Sequence, residues 1–159
     1  MTVHERDDAG AIVREIHIEA SPAIVFPYFA DPDKLMVWKA VTAEAEGRVG
    51  GSFRVDVTGR RDVAFGTYLE IDPPRRIVFT WRWLNSNPDP DQSASVVEVT
   101  LDPDGEGTLL RLVHRGVAPH QRAGSGAGWT HYLARLAVAA SGADPGPDPW
   151  ADATARSAP

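Results

Sequence analysis

A chain of 159 residues with 43% hydrophobic and 24% charged side chains has the length and balance of one globular domain, with no room for a second. Zero cysteines exclude a disulfide framework or a thiolate metal site, and a formal charge of −6 disfavours nucleic-acid phosphates and anionic membrane surfaces as partners. No apolar run reaches the ~20 residues of a membrane helix, and the N-terminus lacks a signal-like apolar stretch, so the expectation is a soluble, cytoplasmic protein.

Residues 1–10 read as a flexible N-terminus. The β-branched segment 12–19 alternates in its second half, which suits a strand with one covered face. Ser21-Pro22 then has the cap and first-turn pattern of a helix, and residues 23–29 are apolar enough to pack, with Pro27 expected to kink or shorten the helix. Asp31-Pro32-Asp33 opens a second short turn or helix through Leu35 and Trp38.

Beyond it the period changes to that of strands. Segments 41–46, 52–58, 63–71, 76–84, 94–102 and 108–114 are separated by turn residues, too closely for helical crossovers. The sheet is therefore expected to be antiparallel, an α+β arrangement. Gly124 to Gly128, rich in glycine, reads as a loop end before a long helix. In that helix Trp129, Tyr132, Leu133, Leu136, Ala137 and Ala140 make one apolar stripe, and Thr130, His131 and Arg135 lie opposite. From Gly142 to Pro159 the Pro/Gly/Asp-rich composition predicts a disordered or loosely attached tail, with disorder favoured, in which Trp150 is the one large side chain able to pin it to the body or to a neighbouring chain.

Several fragments in this order carry a family resemblance: Ala20-Ser21-Pro22, Asp31-Pro32-Asp33-Lys34-Leu35 with Trp38, and Gly50-Gly51-Ser52-Phe53-Arg54. The run from Gly66 to Trp81, Gly107-Thr108-Leu109-Leu110, His114-Arg115-Gly116 and Gly128-Trp129 complete the set. Over residues 11–141 the chain resembles the START-like, or SRPBCC, superfamily that includes the Bet v 1 allergens, in the branch related to the activator of Hsp90 ATPase. The resemblance implies a helix-grip fold, in which a curved antiparallel sheet of about seven strands (β-αα-β6-α) wraps a long C-terminal helix. It also implies a pocket between sheet and helix, used in the superfamily for lipid-, polyketide- or aromatic-like molecules. It does not select one reaction, since fold and function are separable.

Strand alternation names the inward side chains that would line such a pocket: Phe53 and Val55; Phe79, Trp81 and Trp83; Val97 and Val99; Leu112 and His114; with Trp129 and Leu133 from the helix. Tyr68 and Thr80 are candidates to orient a ligand carbonyl. His114 is the one weak catalytic candidate, a polar handle able to move a proton, set against the plainer reading of a buried histidine satisfied by hydrogen bonds. Arg82 and Glu98 are expected to form a surface ion pair. The five histidines are scattered, and phosphate-loop, dinucleotide and nucleophile-elbow signatures are missing, so no metal or cofactor is expected. The first expectation is binding of a small apolar molecule. The alternatives are a cyclase- or dehydratase-like enzyme using the same pocket and a chaperone-partner module; a homodimer remains open.

Overall fold

The computed structural model describes residues 2–8, 10–59, 62–84 and 95–151. Its elements in chain order are β1 (His4–Asp8), β2 (Ala11–Ile18), α1 (Pro22–Val25), α2 (Pro32–Trp38), β3 (Thr42–Ala45), β4 (Ser52–Asp56), β5 (Val63–Asp72), β6 (Arg76–Trp83), β7 (Ser95–Asp104), β8 (Gly107–Arg115) and α3 (Pro119–Ala140). The strands form one antiparallel sheet of eight in the order β1-β2-β8-β7-β6-β5-β4-β3. The eighth strand is the correction to the expected seven. Residues 4–8, read as flexible, pair with β2 from His4 opposite Glu15 to Asp8 opposite Ala11. Their charged sequence hides this, because an edge strand with polar side chains has no apolar alternation to display.

The helical pair between β2 and β3 follows the local chemistry. Pro22 enters α1 at its first turn, and Pro27 converts the continuation into a 3-10 turn, Phe26–Phe29, as its missing N–H and ring require. Asp31 caps α2 by accepting from the Asp33 amide at 2.9 Å. Trp38 closes α2 against the core, its Nε1–H donating to the Tyr28 carbonyl.

Each expected inward position on the sheet is buried except Trp83, which is half-buried. The Ile77, Val97, Val99, Leu101, Leu110 and Leu112 side chains are fully covered, each contributing about 1.5–3 kcal/mol of transfer free energy. Gly66 is where the sheet permits no side chain, since a Cβ there would stand 2.0 Å from the Thr80 carbonyl oxygen. On the outer face, Glu98 is shared by Arg76 at 2.6 Å and Arg115 at 3.2 Å, rather than serving as the expected partner of Arg82. Opposite Glu98 on β6 stands Val78, flanked by the register that brings Arg76 within reach.

Two expectations about the C-terminal part are overturned. The helix starts at Pro119, so the Gly124–Gly128 segment lies inside it and not in a loop. Gly126 faces β2 there: a Cβ would sit 2.4 Å from the Arg14 guanidinium, which would have to shift to admit a side chain. Arg135, assigned to the outer side of the helix, is buried and donates to the Trp38, Val37 and Gly146 carbonyls, joining α3 to the end of α2 and to the tail. Through Ala151 the tail lies against α3, with Trp150 at the contact. Asp148, 6% exposed, accepts from Tyr132 Oη and His131 Nε2, each at 2.7 Å, and Trp150 stacks on the His131 ring at 4.0 Å and 5°. The expected loop 85–92 and the tail beyond Ala151 lie outside the described residues.

Candidate functional site

The interior between sheet and helix is nearly filled. Phe53, Val55, Tyr68, Phe79, Trp81 and Trp129 surround, with Phe29, Leu35, Trp38 and Lys39, a space of only about 20 Å³, room for about one water. The packing is aromatic throughout: Phe53 contacts the Tyr68, Phe79 and Trp81 rings at centroid distances of 5.5, 5.4 and 5.8 Å. Tyr68 is tied down by donating its hydroxyl to the Phe29 carbonyl at 3.0 Å, and burial pushes its phenol above the ordinary value. Thr80 Oγ1 accepts from the Thr67 amide, so its role is to hold β5 on β6.

Open space begins at the same end of the sheet, above this plug. A groove of about 460 Å³ runs between Val57, Thr58, Asp62 and Val63, the end of β6 and the glycine-bearing half of α3, within the ~300–1,000 Å³ of small-molecule sites. Trp81, Trp83, His114 and Trp129 of the expected lining face it, joined by Lys39, Tyr132 and Trp150. Gly124 and Gly128 form part of its helical wall, and a Cβ added at either meets nothing within 4 Å. Those two positions keep the groove open by contributing no side chain. The remaining expected lining residues, Val97, Val99, Leu112 and Leu133, are fully covered core and border neither space. A hollow of about 520 Å³ along β3 and β4 is lined largely by exposed or charged side chains, including Glu44, Arg54 and Asp56, and lacks this aromatic character.

His114 is brought to the groove but is fully engaged. Trp129 Nε1–H donates to its Nδ1 at 2.9 Å, which places the imidazole proton on Nε2. From there it reaches Ser95 Oγ at 2.7 Å, and the Ser95 hydroxyl donates onward to the Trp81 carbonyl at 2.7 Å. Burial, then the Lys39 charge, lowers the His114 pKa to about 3, so the ring is neutral near pH 7. A neutral ring with both nitrogens occupied has no free position for general-acid or general-base work, and it orients Trp129 instead.

Lys39 is the charged side chain at the groove that sequence reasoning missed. It follows the last turn of α2, is 6% exposed, and borders both the small interior space and the groove. Its Nζ lies 4.3 Å from the Trp129 ring centroid, 4.6 Å from Tyr132, 4.8 Å from Trp81 and 5.8 Å from Trp38. Burial lowers its pKa to about 7, against which the Asp148 charge acts. The signal was present in a lysine set inside the apolar run from Met36 to Val41. Among the described residues no group of three or more histidine, aspartate or glutamate side chains is placed to hold a metal ion, and no helix is long and apolar enough to cross a membrane.

The family described as "Activator of Hsp90 ATPase homolog 1-like protein" matches residues 19–141. Among solved structures, CalU16 from Micromonospora echinospora shares 25% identity over 89% of this chain and 85% of its own, with a TM-score of 0.68. The Aha1 dimer from Colwellia psychrerythraea is similar at 18% identity over 82% of this chain and 96% of its own, TM-score 0.72. An HSP90 activator from Plasmodium falciparum is similar at 22% identity over 82% and 96%, TM-score 0.67. The last two likenesses show the fold alone. No curated protein matches the chain.

Proposed function

The chain belongs to the Activator of Hsp90 ATPase homolog 1-like family, and on that footing we propose that it binds a small, planar apolar molecule in the groove between α3 and the end of the sheet. The observation that carries this reading is the groove itself, about 460 Å³ with the indoles of Trp81, Trp83, Trp129 and Trp150 on its walls. Aromatic faces arranged around one space favour flat ligands through stacking and area burial. The filled interior supports placing the ligand here and not deep beneath the sheet, where the remaining space is about 20 Å³. Two helix-weakening glycines at the groove wall also support it, since each costs about 1 kcal/mol relative to alanine and neither is required by a close neighbour.

Titration with the uncharged fluorophore N-phenyl-1-naphthylamine tests the reading. Emission enhancement with transfer from tryptophan is the expected result, and Gly128→Leu, which places a side chain in the groove, should weaken binding at least about tenfold, ~1.4 kcal/mol. Equal affinity in wild type and Gly128→Leu would move the site elsewhere. Native mass spectrometry of protein purified from its own cells then reads the natural ligand and the oligomeric state together.

A further inference from the structure

Lysine is scarce in this chain: Lys34 and Lys39 stand against 14 arginines. Where a permanent positive charge serves, the chain uses arginine, including at the buried positions Arg14 and Arg135. The property that lysine alone supplies is an amine that can lose its proton and expose a nucleophilic lone pair. Lys39 is placed where that property matters. Its side chain is 94% covered and ends among four aromatic rings, and no hydrogen bond or ion pair reaches Nζ among the described residues, yet it borders the groove.

We propose that Lys39 is a nucleophilic amine that captures the carbonyl group of an apolar aldehyde or ketone in the groove as an imine. This rests on the groove being a small-molecule site and names the ligand's reactive group. The Nζ lone pair attacks the carbonyl carbon, forming the C–N bond as the carbonyl π pair moves to oxygen. A proton passes from nitrogen to that oxygen, and loss of water leaves the C=N bond. The step is a condensation with no change of oxidation level, so it needs no oxidant, reductant or cofactor. The surrounding indoles exclude water from the product, which opposes hydrolysis of the imine.

The groups around the amine are consistent with a neutral fraction near pH 7. Asp148 favours the ammonium through its charge but is occupied by Tyr132 and His131. His114 is neutral, the Tyr132 phenol is held protonated, Asp62 lies at the exposed rim, and Arg135 is turned to backbone carbonyls. The aromatic faces favour the ammonium and burial opposes it. With a pKa of about 7, about half the amine is neutral at pH 7, roughly a thousandfold more than for an ordinary lysine at ~10.4.

The test is reductive trapping of the intact chain with 2-naphthaldehyde and sodium cyanoborohydride, read by intact mass and peptide mapping across pH 5–10. The expected result is one adduct on Lys39, at least about tenfold over Lys34 at pH 7, with a rate that rises through a midpoint well below the ordinary lysine value. Lys34→Arg should retain the adduct and Lys39→Met, similar in length and apolar, should lose it. Near-ultraviolet circular dichroism of Lys39→Met shows that the fold persists, and N-phenyl-1-naphthylamine binding by the wild type and by Lys34→Arg shows that the groove is open. Adduct confined to Lys34 or the terminal amine, with fluorophore binding intact, would overturn the amine proposal and leave the groove reading standing. So would Lys39-dependent binding of 2-naphthoate with no trapped adduct, which makes Lys39 an anion anchor. Loss of fluorophore binding by the wild type would instead remove the groove reading, and the amine proposal with it.

Discussion

A buried neutral histidine makes stability depend on acid, and His114 offers a case whose size follows from its surroundings. In the unfolded chain its pKa is the ordinary 6.5, whereas burial, then the Lys39 charge, brings it to about 3 in the folded protein. Between those values the unfolded state binds the extra proton. Stability from this group is therefore complete above pH 6.5 and falls as pH drops, at about 1.4 kcal/mol per unit, levelling off near the folded value. From pH 7 to pH 5 the loss is about 2 kcal/mol. The assay is urea unfolding of wild type and His114→Gln at both pH values, the amide being able to accept from Trp129 and donate toward Ser95 in the imidazole's place. His17 shifts the opposite way, raised by its hydrogen bond to Asp104, but it is common to both proteins and cancels in the difference. His114→Gln should be less stable at pH 7 yet lose about 2 kcal/mol less than wild type on going to pH 5. Identical losses in the two proteins would refute the assignment of His114 as a neutral, buried link and reopen it as a proton-exchanging group.

Two further predictions concern α3 and what lies on it. Gly124→Ala and Gly128→Ala should each raise stability by about 0.5–1 kcal/mol in urea unfolding, because each removes a helix-interior glycine without a clash; destabilisation would argue that the segment is not helical. Asp148→Ala withdraws the acceptor from the Tyr132 hydroxyl, the His131 ring and the Trp150 amide. Two of these bonds join the tail to α3, so at about 1 kcal/mol per hydrogen bond the tail should open by about 2 kcal/mol more readily. Hydrogen exchange in residues 143–151 should accelerate by at least tenfold and Trp150 emission shift to the red, while unchanged exchange would mean that packing alone holds the tail.

The order of elements was legible because most of them are governed by neighbours in sequence. Ser21-Pro22 and Asp31-Pro32 mark helix starts by satisfying or removing amides within one turn, and both helices begin there. Alternation assigned Phe53, Phe79, Trp81, Val97, Val99, Leu112 and His114 to the covered face because a strand's period is fixed by its backbone. Failures occurred where the deciding contact comes from far along the chain. Glycines at 124, 126 and 128 look like a loop until Arg14, over 110 residues earlier, is placed against Gly126. The partners of Asp148 and Trp150 are likewise remote in kind: Tyr132 and His131 present their polar atoms and ring face from an adjacent helix, and composition alone does not name them.

The candidate site was half legible for a related reason. Periodicity says which side chains point inward, but it does not say whether they leave space, since that depends on the sum of volumes meeting from several elements. Phe53, Tyr68, Phe79, Trp81 and Trp129 all arrive at one end of the sheet and nearly fill it, leaving about 20 Å³. The larger space is the groove that shares Lys39, Trp81 and Trp129 with it, where Gly124 and Gly128 withhold side chains from the helical wall. Lys39 stands at the boundary between the two, reached from α2, an element whose sequence shows a capped helix end and nothing of the tryptophans that cover it. Of the aromatic residues read as pocket walls, Phe53, Tyr68 and Phe79 border only the small interior space, Trp83 only the groove, and Trp81 and Trp129 border both, as Lys39 does.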